Sequence, residues 1–205
     1  MPNHFQHDIE DSINVCNLLG INYKQINIGN AYNQLVWDIV GVDPVNDMIR
    51  TNLPARLRMA TLYAVAALYP NSRVVNTSNF SERFVGYSTK YGDGAGDFSP
   101  LGELLISEVL AIGDDLGLPN NLVHKTPADG MSGKTDEDNL GFTYADVDTY
   151  LIEGMTETPW TLSDEILDKI EARHAANVHK LHPMPTFLPE TSAVDEIRYK
   201  KEVTE

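Results

Sequence analysis

Apolar residues recur at helical spacing over residues 8–19, where Ile9, Ile13, Cys16 and Leu19 share a face and Gly20 stands as a stop. Residues 22–28 alternate instead, with β-prone Tyr23, Ile26 and Ile28, and read as a strand. A second helix is expected over residues 31–40, with Leu35, Val36 and Ile39 on one side. A longer one is expected over 45–68, with Pro54 close to an interruption. Its second half, 59–68, is apolar nearly all round, as a buried helix or a subunit interface would be. Tyr69-Pro70-Asn71-Ser72 is turn chemistry, and Arg73-Val74-Val75 opens a short buried strand reaching Thr77.

Beyond a glycine-rich stretch at 76–101, the helical period returns at 103–116, carried by Leu104, Leu105, Val109, Leu110 and Ile112 and capped by Gly117. Residues 127–139 show no period and read as a mobile loop. Thr143 is placed to cap a helix through Glu153, and Ser163-Asp164 to start another reaching about Asn177. From Pro183 onward, prolines and then charges predict an extended arm or a disordered tail. The cadence of helices and short apolar strands is that of an α/β protein with a parallel sheet. One domain over residues 1–187, followed by a charged tail at 188–205, accounts for the pattern.

Composition narrows the function. The 205 residues carry a formal net charge of -15, which argues against nucleic acid or an anionic membrane surface as a partner. A local positive pocket for phosphates remains compatible with that charge. The single cysteine, Cys16, excludes an internal disulfide framework and fits a reducing compartment. Among Ile13, Val15, Leu18 and Leu19 it reads as a buried structural thiol. No run of about 18 apolar residues occurs, and Met1-Pro2-Asn3-His4 opens no signal peptide. A soluble, cytoplasmic protein is the expectation.

The stretch at 76–101 is where chemistry concentrates. Gly86, Gly92, Gly94 and Gly96 are interleaved with Glu82, Lys90, Asp93 and Asp97. Glycines let a backbone approach a ligand, and the polar groups between them can orient it. By composition alone the stretch reads first as an ordinary Gly-Asp surface loop. Its detail, however, resembles the signature of the NAD synthetase family. Thr77 at a strand end, Glu82, Thr89-Lys90-Tyr91-Gly92-Asp93, Asp97 and Pro100-Leu101 all stand where that signature has them. The resemblance extends to Asn52-Leu53-Pro54-Ala55-Arg56-Leu57-Arg58-Met59, to Lys125-Thr126-Pro127-Ala128-Asp129-Gly130, to Asp136 through Tyr144, and to His179-Lys180. Without it, Arg56 and Arg58 would be a snorkelling helix face and His179-Lys180 an ordinary helix end.

The resemblance implies a Rossmann-like fold of the adenine nucleotide alpha hydrolase type and a homodimer. It implies ATP-dependent amidation of deamido-NAD by free ammonia, through an adenylate, giving NAD, AMP and pyrophosphate. Thr77 would contact ATP, and Glu82 would ligate Mg²⁺. Arg56, Lys90, Asp97, His179 and Lys180 would bind deamido-NAD. Two positions depart from the family's common pattern, Ile106 where a Lys is frequent and Ala128 where Thr or Ser is frequent. A third departure is larger. The family's Ser-Gly-Gly-x-Asp-Ser phosphate loop does not occur in these 205 residues. The expectation is therefore a copy that begins late, without the first two strands, and no catalytic residue is assigned. Two rivals stand beside the synthetase: a non-catalytic dinucleotide-binding or dimerisation remnant, and another amidating ATP pyrophosphatase.

Overall fold

The computed structural model describes residues 1–6, 9–128, 134–156 and 159–187. The expected tail at 188–205 lies outside these, as do Asp129 and Gly130. Helices dominate: α1 (Ile9–Leu18), α2 (Gly29–Val40), α3 (Asp47–Ala66), α4 (Phe80–Phe84), α5 (Ile106–Asp115), α6 (Asn120–Val123), α7 (Asp136–Leu140), α8 (Tyr144–Glu153) and α9 (Asp164–Asn177), then a 3-10 turn at Val178–Lys180.

Local chemistry sets most of these boundaries. Gly20, Gly117 and Gly141 take positive φ just beyond α1, α5 and α7. Asn46, Asn79, Thr135, Thr143 and Ser163 accept an amide of the first turn they precede, at α3, α4, α7, α8 and α9. α3 runs unbroken through Pro54, where an interruption was expected. The Pro54 ring is fully buried, and that burial offsets the one ladder hydrogen bond a proline removes. α4 and α7 were not expected, because each is a single capped turn too short to show a period.

Among the described residues there is no continuous strand ladder. Residues 22–28 form no ladder, Ile28 at their end taking helical angles with its amide on the Pro2 carbonyl at 2.9 Å, and the 73–77 segment makes a single parallel bridge, Val75 to Phe98. Alternation of side chains predicts which face is apolar, but a strand also needs a neighbour for its backbone. Within the 73–77 segment Val74 is buried and Val75 exposed.

The main core is built from α4 onward. Val85, Phe142, Val147, Leu151 and Ile170 form it, flanked by Phe80, Phe84, Tyr87, Leu105 and Ile166. Each fully buried aliphatic side chain here is worth about 1.5–3 kcal/mol. The N-terminal half is held differently. Asn27 brackets His4, accepting its amide at 3.1 Å and donating to its carbonyl at 2.9 Å, while Arg58 donates to the Met1 carbonyl at 2.9 Å. α1 has no fully buried residue, so Cys16 is only half-buried, contrary to the expectation of a core thiol. The apolar 59–68 segment, the second half of α3 and the residues just after it, is buried at Met59, whereas Leu62, Tyr63 and Leu68 face solvent. Burial within this chain therefore does not explain its composition.

Candidate functional site

The site begins where α3 meets the glycine-rich loop. Asn52, Ala55 and Arg56 lie on one helical face at i, i+3 and i+4. Each takes a different part of the loop. The Thr89 hydroxyl donates to Asn52 Oδ1 at 2.8 Å. Gly92 lies so close to Ala55 that a Cβ there would sit 3.0 Å from the Ala55 methyl. The Arg56 Nε donates to the Lys90 carbonyl at 3.3 Å. Asp93 Oδ1 then accepts the Thr89 amide at 3.0 Å, closing a tight turn in which Tyr91 takes a positive φ of 64°. The Thr-Lys-Tyr-Gly-Asp run is thus shaped by an Asn-x-x-Ala-Arg helix face.

The C-terminal segment closes on the same loop. Lys90 Nζ donates to the His179 carbonyl at 2.5 Å, and Lys180 Nζ donates to the carbonyls of Gly86 and Ser88 at 2.7 and 2.8 Å. Arg56, Lys90 and Lys180, up to 124 positions apart in the chain, thus meet at one loop of an acidic protein, and His179 joins them through its main-chain carbonyl. Burial, helped by the nearby Arg173 charge, pushes the Lys180 ammonium below the usual lysine range, with Asp93 opposing.

The loop's return leg is organised by Asn76, which sequence reasoning did not single out. Its Nδ2 donates to the Asp93 carbonyl at 2.7 Å, and its Oδ1 accepts the Ser78 amide and the Ser99 hydroxyl, each at 3.0 Å. The signal was an Asn two positions before a Ser, the pattern of an Asx turn. Asp97 exchanges main-chain contact with Val74, its amide donating to the Val74 carbonyl at 2.7 Å, and its carboxylate accepts the Val74 amide at 2.6 Å. Asp97 is therefore exposed but anchored. Thr77 is exposed at the end of the same segment. The structure brings Arg56, Lys90 and Lys180 to one loop, meets His179 there only through its carbonyl, and leaves Thr77 and Asp97 on the neighbouring edge.

Glu82 stands in the first turn of α4. It accepts the Asn79 amide through Oε2 at 3.1 Å, and Asn79 Oδ1 accepts the Glu82 amide at 2.9 Å. Burial pushes the Glu82 carboxyl above the usual range; the Asn79 hydrogen bonds oppose this, and the like charges of Asp136 and Asp93 reinforce it. Tyr144, beside Glu82 and Asp136, is raised as well, chiefly by burial. A half-buried carboxylate with acidic neighbours fits a hard divalent cation, which would relieve both penalties. Among the described residues no three His, Cys, Asp or Glu side chains could hold a metal by themselves. A cation at Glu82 would take its other ligands from phosphate oxygens and water, as Mg²⁺ commonly does.

The two divergent positions have structural uses. Ile106 opens α5, its amide donating to the Ser81 hydroxyl at 3.1 Å. Ala128 makes an antiparallel bridge to Thr135.

Comparison with known proteins places this geometry. The family model described as NAD synthase matches residues 1–185. The chain belongs to the NAD synthase family. The NH(3)-dependent NAD(+) synthetase of Thermococcus sibiricus is 44% identical over 152 residues, covering 74% of this chain and 59% of that protein. The one from Syntrophomonas wolfei is 38% identical, covering 89% and 74%. The chain thus spans between about three-fifths and three-quarters of these relatives. Among solved structures, an NMN synthetase from Francisella tularensis superposes with a TM-score of 0.80 at 34% identity, over 92% of this chain and 75% of that one. The NH3-dependent NAD synthetase of Campylobacter jejuni gives 0.74 at 30% identity, over 92% and 76%. The NAD synthase fold is therefore shared across nearly the whole described chain. Among the described residues no helix is long and apolar enough to cross a membrane.

Proposed function

We propose that this NAD synthase chain takes part in the ATP-dependent amidation of deamido-NAD by ammonia. The observation that carries the reading is the convergence of Arg56, Lys90 and Lys180, with the main chain of His179, at one glycine-rich loop of a chain whose net charge is -15. A cationic cluster on an acidic protein is suited to an anionic small molecule, and here it is built from the family's own motifs.

In the first step a carboxylate oxygen of deamido-NAD attacks the α-phosphorus of ATP. The bond to the bridging oxygen breaks, and pyrophosphate leaves with that electron pair. In the second, the ammonia lone pair attacks the adenylated carbonyl carbon. The carbon–oxygen bond to AMP breaks, and the nitrogen gives up a proton to solvent. Arg56, Lys90, His179 and Lys180 hold the charged dinucleotide, Asp97 orients it from the loop's far edge, and Thr77 meets ATP at the end of the 73–77 segment. Glu82 would hold Mg²⁺, whose charge would offset that of the phosphates. Positioning and charge stabilisation supply most of the catalysis in such phosphate chemistry.

The parallel sheet belongs to this reading too: the 22–28 and 73–77 segments would be strands flanking others, with the 1–187 region as one domain. The pyrophosphate grip would come from a Ser-Gly-Gly-x-Asp-Ser loop, which these 205 residues do not contain. Two copies of the chain would form the functional dimer in the cytoplasm, with the exposed face of α3 between them.

The likeness to an NMN synthetase makes the mononucleotide acid the rival acceptor. Titration calorimetry of the chain with deamido-NAD and with nicotinate mononucleotide separates the two. Tighter binding of deamido-NAD supports the reading, and a preference for the mononucleotide moves the chain to the other substrate.

A further inference from the structure

Lys180 reaches the glycine-rich loop by a route that a substrate ligand does not need. Arg173, Asn177 and Lys180 follow one another at i, i+4 and i+7 along the end of α9 and its 3-10 turn, so they share a face. That face lies directly on residues 86–88. The Arg173 guanidinium sits 6.0 Å from the centre of the Tyr87 ring. Gly86, at a φ of 61°, lies so near Asn177 that a Cβ on it would fall 2.2 Å from the Asn177 Cβ. Lys180 then closes the contact with two hydrogen bonds, to the Gly86 and Ser88 carbonyls. Lys90 answers in the opposite direction, its ammonium on the His179 carbonyl. The two lysines form a reciprocal clasp between the loop and the C-terminal turn.

An ammonium has three donors. With two of them on main-chain carbonyls, at most one remains for an oxygen of a bound dinucleotide. We propose that Lys180, beyond its place at the dinucleotide, acts as a positioning residue: its ammonium fixes the main chain at Gly86 and Ser88, and through it the placement of Lys90 and of the Thr89–Asp93 turn. This rests on the reading above only in taking Lys90 to meet the dinucleotide. Desolvation of Lys180 fits the assignment, because a charge held against carbonyls under α9 is one that water has partly left.

Amide hydrogen exchange on the nucleotide-free 205-residue chain tests it. The amides of Tyr87, Gly92 and Gly94 donate to main-chain carbonyls of the loop and its approach, and that of Thr89 to Asp93 Oδ1. Losing two charge-assisted bonds in Lys180→Met is expected to speed exchange over residues 87–94 by about tenfold or more, with α8 unchanged as the internal reference. Lys180→Arg, which can still donate to both carbonyls, is expected to stay within about threefold of the parent. Lys180→Gln, with a neutral amide, falls between them. Unchanged loop exchange in the Met and Gln variants would overturn the proposal. So would an acceleration shared equally by α8, which would make Lys180 a general stability residue. Deamido-NAD titration on the parent chain reads the function separately: failure to bind refutes the dinucleotide reading and leaves the exchange result standing.

Discussion

Asp148, buried on α8, accepts the Ser81 hydroxyl with one carboxylate oxygen and the Ser107 amide with the other, the latter at 3.0 Å. That pair ties three helices together, because Ser81 lies in α4 beside Glu82 and Ser107 in the first turn of α5. The carboxylate also satisfies an amide that the start of α5 would otherwise leave without a helical partner. Asp148→Ala is expected to cost about 1.5–3 kcal/mol, the range for hydrogen bonds to a charged group. Ser81→Ala should cost about 1 kcal/mol, and urea unfolding measures both. A loss below about 0.5 kcal/mol in Asp148→Ala would mean the knot does not hold α4 in place.

Glu82 gives stability a definite pH dependence. Its folded-state carboxyl is raised above 4.5, first by burial and then by Asp136 and Asp93. A group so shifted binds its proton more tightly when folded. Its stabilising effect is present in full below the unfolded value and is lost as pH rises through the folded one. Thermal melting followed upward from about pH 4 should show this loss in the parent and less of it in Glu82→Gln. Identical profiles in the two proteins would detach Glu82 from the effect.

The helical part of this fold is largely legible in the sequence. Ile9, Ile13 and Cys16 announce α1, Thr143 announces α8 and Ser163 announces α9, because each signal is local. α4 was not read as a helix, although Asn79-x-x-Glu82 is a capping box, because the surrounding glycines pointed to an open loop. Thr135-x-x-Asp138 was passed over at α7 for a similar reason. Pairing of the 22–28 segment cannot be read locally, since a ladder depends on what lies beside it. The site divides in the same way. Motif resemblance named Arg56, Lys90, His179 and Lys180, but nothing in the sequence tells that the Lys180 ammonium would turn to main-chain carbonyls, because that depends on how closely Asn177 approaches Gly86. The hub at Asn76 was missed because its partners, Asp93 and Ser99, come from the loop's return.

The exposed face of α3 predicts association. Leu62 and Tyr63 lie on it in the single chain, Leu68 is exposed just beyond its end, and Trp37 and Met48 add apolar surface from α2 and the start of α3. Sedimentation at micromolar concentration should give a dimer, and Leu62→Glu with Tyr63→Glu should return it to monomer. A stable monomer for the parent chain would contradict the interface.

Glu82→Gln also tests the metal reading, in a copy supplied with a phosphate loop. The amide keeps an oxygen but removes the charge that neutralises the ion. Single-turnover adenylation should fall by about a hundredfold or more, and raising Mg²⁺ should restore part of it. Deamido-NAD affinity, set by Arg56, Lys90 and the C-terminal turn, should change little. An unchanged rate with an unchanged magnesium dependence would leave Glu82 only its capping role.

The account as a whole stands on one reaction. A segment carrying the NAD synthetase family's Ser-Gly-Gly-x-Asp-Ser loop is joined ahead of Met1, and the product is incubated with ATP, Mg²⁺, deamido-NAD and ¹⁵N-ammonium. The 205 residues alone should turn over little, since even one preorganised donor to developing charge is worth about 3–4 kcal/mol. The joined protein should release ¹⁵N-labelled NAD with AMP and pyrophosphate in equal amounts, and Arg56→Ala should reduce that yield. Labelled NAD absent from a folded, joined protein that binds ATP, or formation of ADP and phosphate in place of AMP and pyrophosphate, would contradict the assignment.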